Sequence, residues 1–114
     1  MYKRQVKQGG PGEVVINDTG WTVGKLPPGF AKIMEGFRTL RGKTNPVAHI
    51  VFSDGLVAVS VFIEPITVTQ TQFGLTQAGG LNVFSTRNDA FLVTVLGEAP
   101  PATVRQIAQS VARR

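Results

Sequence analysis

Between Ala48 and Glu64 the chain reads as two apolar, β-branched runs separated by Asp54-Gly55, and no other feature narrows the possible folds as much. Asp-Gly between such runs is the signature of a tight antiparallel hairpin. In a two-residue type I′ turn both central residues need positive φ, which glycine tolerates best. Side chains alternate across a strand, so Val57, Val59, Val61 and Ile63 share one face and Leu56, Ala58, Ser60 and Phe62 the other. The odd-numbered face is continuously apolar and is the expected core side. Phe62 on the other face implies partial cover there too, and a helix is the simplest candidate.

The rest of the chain extends this pattern. Trp21 and Val23 alternate with Thr22 and Gly24 before Leu26-Pro27-Pro28-Gly29 ends the strand, since proline cannot donate to a ladder. Residues 30–40 read as the return strand. Leu81–Ser85 and Ala90–Leu96 form another strand pair about the turn Arg87-Asn88-Asp89. Residues 66–80 are rich in Thr and Gln, lack sustained periodicity and are expected to be the least ordered internal segment. After Pro100-Pro101 the period changes. Val104, Ile107, Ala108 and Val111 recur at helical spacing, with proline tolerated in the first turn and Arg113 and Arg114 near the negative end of the dipole. The expected fold is α+β: an antiparallel sheet of five to seven strands with one C-terminal helix packed on a face. Residues 1–20, which include Gly9-Gly10-Pro11-Gly12, read as an N-terminal tail or linker, with a possible short strand at Val14-Val15-Ile16. Residues 21–114 read as the domain.

A chain of 114 residues has room for one core, and 13 glycines with 7 prolines suit a sheet with many turns. No run is long and apolar enough for a membrane span, and the basic start lacks the apolar stretch of a secretory signal. The net charge of +5 sits largely at the two ends; without Lys3, Arg4, Lys7, Arg113 and Arg114 there are seven basic and seven acidic residues. A near-neutral body argues against nucleic acid, which needs phosphate neutralisation. With no cysteine, one histidine and scattered carboxylates, no catalytic or metal-ligating constellation and no cofactor site emerges. His49 reads as a sheet histidine bonded to its neighbours, and Asp54 as a turn residue. Arg38, Arg41 and Lys43 form the internal basic cluster. Arg38, Arg41, Arg87 and Arg105 are the candidate partner-binding residues, because guanidinium forks suit carboxylates.

Three segments in order carry a resemblance: Trp21-Thr-Val-Gly-Lys-Leu-Pro-Pro-Gly-Phe30, His49-Ile-Val-Phe-Ser-Asp-Gly-Leu-Val-Ala-Val-Ser-Val-Phe-Ile-Glu64, and Val95-Leu-Gly-Glu-Ala-Pro-Pro-Ala-Thr-Val-Arg-Gln-Ile-Ala108. From about Trp21 to Val111 the chain resembles the C-terminal domain of the RseB/MucB family of periplasmic sigma-E regulatory proteins. The resemblance implies a non-enzymatic module that helps bind the periplasmic domain of a transmembrane, RseA/MucA-like anti-sigma factor and restrain its proteolysis. It also implies a second partner, an N-terminal lipoprotein-carrier-like domain of the same exported protein. A structural role, orienting a lipid-sensing N-terminal domain without touching the anti-sigma factor, is the alternative.

Overall fold

The computed structural model describes residues 15–39, 46–66 and 73–114. The strands are β1 (Val15–Ile16), β2 (Trp21–Val23), β3 (Ala31–Arg38), β4 (Val47–Ser53), β5 (Ala58–Pro65), β6 (Gly74–Ala78), β7 (Leu81–Asn88), β8 (Phe91–Gly97) and, after helix α1 (Pro101–Gln109), β9 (Val111–Arg113). One sheet has the order β1-β3-β4-β5-β8-β7-β6, and β2 with β9 forms a separate two-stranded ribbon. Within the large sheet β1 runs parallel to β3, and the other six strands are antiparallel throughout. This is the expected sheet with a C-terminal helix on one face.

The β4–β5 hairpin forms where expected, but its connection is longer. Ser53 pairs with Ala58, so residues 54–57 form a four-residue loop. Gly55 has φ +94°, whereas Asp54 is not left-handed, which rules out a type I′ turn. Asp54 instead accepts hydrogen bonds from the backbone N–H groups of Leu56 (2.9 Å) and Val57 (3.0 Å). These bonds, that to Val57 first, hold its carboxyl below the usual aspartate range. Leu56 and Val57 therefore leave the strand, and Leu56 is 91% exposed. Gly79-Gly80 makes a two-residue connection between Ala78 and Leu81 with both φ values positive, +56° and +88°. Replacing Gly55 with valine is expected to cost about 1–2 kcal/mol, the penalty for a side chain in left-handed backbone. Urea unfolding measures it, and unchanged stability would count against the loop geometry.

Val59, Val61 and Ile63 are buried on one face with Ile50, Phe52, Val93 and Val95. Helix α1 lies across β7 and β8 on this same face, burying Val104, Ile107 and Ala108. Phe62 is on the other face, so the expectation that the helix covers it is overturned. The continuous valine face offers far more apolar area, and burial there dominates.

Three further expectations change. Residues 31–38 form a strand, but it pairs with β4 and β1 rather than returning along Trp21–Val23. Gly74–Ala78, within the segment expected to be least ordered, is a regular edge strand on β7; residues 67–72 lie outside the described residues. The helix ends at Gln109, and Val111 begins β9, which pairs antiparallel with β2: Trp21 with Arg113, and Val23 with Val111. Val111 is buried in the core as its place in the apolar stripe implied, but as a strand residue.

Candidate protein-binding surfaces

The junction of the β2–β9 ribbon with β3 is organised by a charge that sequence reading passed over. Glu35, on the helix side of β3, is fully buried. It pairs with Lys32 (2.6 Å) and Arg114 (2.9 Å), and accepts from the N–H (2.9 Å) and hydroxyl (2.7 Å) of Thr19. Burial alone would raise its pKa. The hydrogen bonds from Lys32 and Thr19, with the Lys32 charge, outweigh burial and bring it to about 2. Arg114 also reaches Asp18 (2.8 Å), and the Arg113 guanidinium lies 4.7 Å from the rings of both Trp21 and Phe91. The two C-terminal arginines are thus fasteners of β9 rather than partners of the helix dipole. Nothing local announces this, because Glu35 and Arg114 are 79 residues apart.

The face opposite α1 can be read in rows across the strands. One row runs Met34, Val51, Ser60, Leu96, Val83, Thr76; the next runs Gly36, His49, Phe62, Thr94, Ser85, Gly74. Beyond them Arg38 stands beside Val47, and Glu64, Leu92 and Arg87 pair across β5, β8 and β7. His49 is buried, and its ring stacks on Phe62 at 4.3 Å, nearly parallel. Its Nδ1 lies 3.3 Å from Arg38 Nη1. A guanidinium only donates, so Nδ1 accepts and the neutral ring carries its proton on Nε2. Burial, and then the Arg38 charge, lower the His49 pKa. Nε2 has no hydrogen-bond partner, so this histidine is less fully bonded than expected.

The structure separates the candidate arginines. Arg38 and Arg87 lie on the face opposite α1, four strand steps and so roughly 19 Å apart. Arg87 Nε donates to the Asp89 carbonyl (2.8 Å). Arg105 is on the helix side, exposed, with its guanidinium 5.7 Å from the centre of the Phe84 ring. Arg41, with Lys43, lies outside the described residues. Arg87 and Arg105 therefore do not join one patch with Arg38. The helix side also holds an unanticipated cation, Lys25, which faces α1 across a groove.

Among the described residues no group of three or more His, Asp or Glu could hold a metal ion, and no helix is long and apolar enough to cross a membrane. The strands and helix define an α+β domain with cations on both faces of its sheet. The match to known proteins makes it specific: the MucB/RseB C-terminal domain matches residues 15–112, and the chain belongs to that family. It is 35% identical over 95 residues to the sigma factor AlgU regulatory protein MucB of Pseudomonas aeruginosa, covering 80% of this chain and 30% of that protein. It is 33% identical over 92 residues to the sigma-E factor regulatory protein RseB of Escherichia coli K12, covering 80% and 29%. The fold superposes on MucB in its crystal structure with MucA(peri) at a TM-score of 0.75 and 32% identity, over 86% of this chain and 38% of that one. The chain thus spans about a third of the length of the relatives it matches.

Proposed function

We propose that this chain is a non-enzymatic regulatory binding domain that works in the periplasm. It helps hold the periplasmic part of a transmembrane, MucA/RseA-like anti-sigma factor and so restrains that partner's proteolysis in envelope-stress signalling. One observation carries the reading: the likeness, over 86% of the chain, to a MucB that was crystallised with MucA(peri). An N-terminal lipoprotein-carrier-like domain of the same protein is the second proposed partner, a reading supported by relatives about three times longer than the matched region. Arg38, Arg41, Arg87 and Arg105 are the proposed contact residues, chosen for their affinity for carboxylates. With Arg38 and Arg87 on one face and Arg105 on the other, a single flat contact engages one set or the other.

Calorimetric titration of this chain with the periplasmic segment of the cognate anti-sigma factor tests the proposal. Saturable binding that weakens as salt rises is expected. Absence of binding would leave the chain as an orienting domain for its N-terminal neighbour and place recognition there.

A further inference from the structure

We propose that the groove between the outer side of α1 and Lys25 is the docking site for a carboxylate-bearing segment of the protein partner. The groove, of about 310 Å³, is lined by Lys25, Ala102, Arg105, Gln106, Gln109 and Ser110. It has room for one or two side chains of an extended segment, not for a folded domain.

The other described cations already have partners. Lys32 and Arg114 are paired with Glu35, Arg38 is held by His49, and Arg87 donates to the Asp89 carbonyl. Arg113 lies against two aromatic rings that also touch each other. Among the described residues, Lys25, Arg105 and Arg113 have neither an ion pair nor a side-chain hydrogen bond, and of these Lys25 and Arg105 line the same groove. Two uncompensated cations across a concave surface attract a carboxylate, and concavity strengthens the field.

Arg105 is also positioned in advance. Its guanidinium rests over the Phe84 ring, and Phe84 is anchored in the core, so less side-chain freedom is lost on binding. Gln106 and Gln109 add amide donors and acceptors that can satisfy the backbone of an extended segment. The C-terminal end of α1, near Ser110, carries partial negative charge and opposes an anion. The carboxylate therefore sits toward Arg105 rather than Ser110.

The identity of the partner rests on the function proposed above, and the test separates the two. Lys25→Gln with Arg105→Gln in the 114-residue chain is titrated with the anti-sigma factor's periplasmic segment. Thr76→Glu with Ala90→Glu, two exposed positions outside the groove, lowers the net charge by the same amount. The groove variant is expected to bind roughly tenfold more weakly or worse, with a shallower salt dependence, and the control to stay within about twofold of the parent. Amide shifts on binding should concentrate at Ala102, Arg105, Gln106 and Gln109. Thermal unfolding of both variants confirms that they are folded. Parental affinity in the groove variant overturns the docking site and leaves the proposed function standing. Equal weakening in both variants also overturns it, because the effect is then overall charge. No binding by the parent overturns both.

Discussion

Replacing Ile107 with alanine is expected to lower stability by about 2–5 kcal/mol, the usual cost of emptying a fully buried branched site. Ile107 is completely inaccessible and sits between Val104 and Ala108 on the face of α1 that meets β7 and β8. The helix has only nine residues and no side-chain N-cap, so it has little stability of its own and depends on this contact. The truncation also removes packing from the cluster of core valines that Ile107 joins. Urea unfolding should show a lower midpoint at an unchanged slope. A loss below about 1 kcal/mol would mean that the helix is an accessory rather than half of the core. A chain ending at Gly97 should then lose cooperative unfolding, because it lacks both α1 and the β9 partner of Trp21–Val23.

Replacing Glu35 with glutamine or alanine is the second large effect. Removing one member of a buried ion network leaves its partners uncompensated, at about 3–5 kcal/mol for fully enclosed groups. Arg114 and Lys32 keep 42% and 33% of their side-chain surface, so they can rehydrate, and a loss nearer 2–3 kcal/mol is expected. The same carboxylate makes stability depend on pH. Its folded pKa of about 2 lies below the ordinary 4.5, so the unfolded chain binds the proton more readily between those values. The contribution is complete above pH 4.5 and is lost as pH falls toward 2, by roughly 3 kcal/mol at most. Stability measured at pH 7, 4.5 and 3 should fall more steeply in the parent than in Glu35→Gln, with the two curves converging in acid. Parallel curves would show that Glu35 is not the titrating group.

Local chemistry made much of this architecture readable. Alternation along Val59, Val61 and Ile63 defines a buried face with a period of two, and the spacing of Val104, Ile107 and Ala108 defines a helix with a period near four. These periods belong to the backbone itself, so a window of about ten residues is enough to show them. The resemblance carried by three short segments reached the family for a similar reason: order and spacing survive in a linear text.

Other features had no local signature. Asp54-Gly55 marked the hairpin, but the side chain of Asp54 capping Leu56 and Val57 produced a longer loop. A turn-forming pair does not declare its loop length as text, and the left-handed two-residue turn belongs to Gly79-Gly80 instead. The placement of the candidate arginines in space also had no signature in the sequence. Arg38 and Arg105 fall on opposite faces of one sheet, while Lys25 lines the same groove as Arg105 because the chain after β2 passes beside α1.

By itself, then, the sequence determined the strand and helix periods, the core face of the central hairpin and the family. Only the tertiary structure decided which face the helix covers, that Val111–Arg113 leaves the helical stripe to pair with Trp21–Val23, and that Glu35 receives Arg114. Periodicity is set by bonds between near neighbours. Pairing between residues 79 or 96 positions apart is selected by whichever whole-chain packing best repays the entropy of closing such loops.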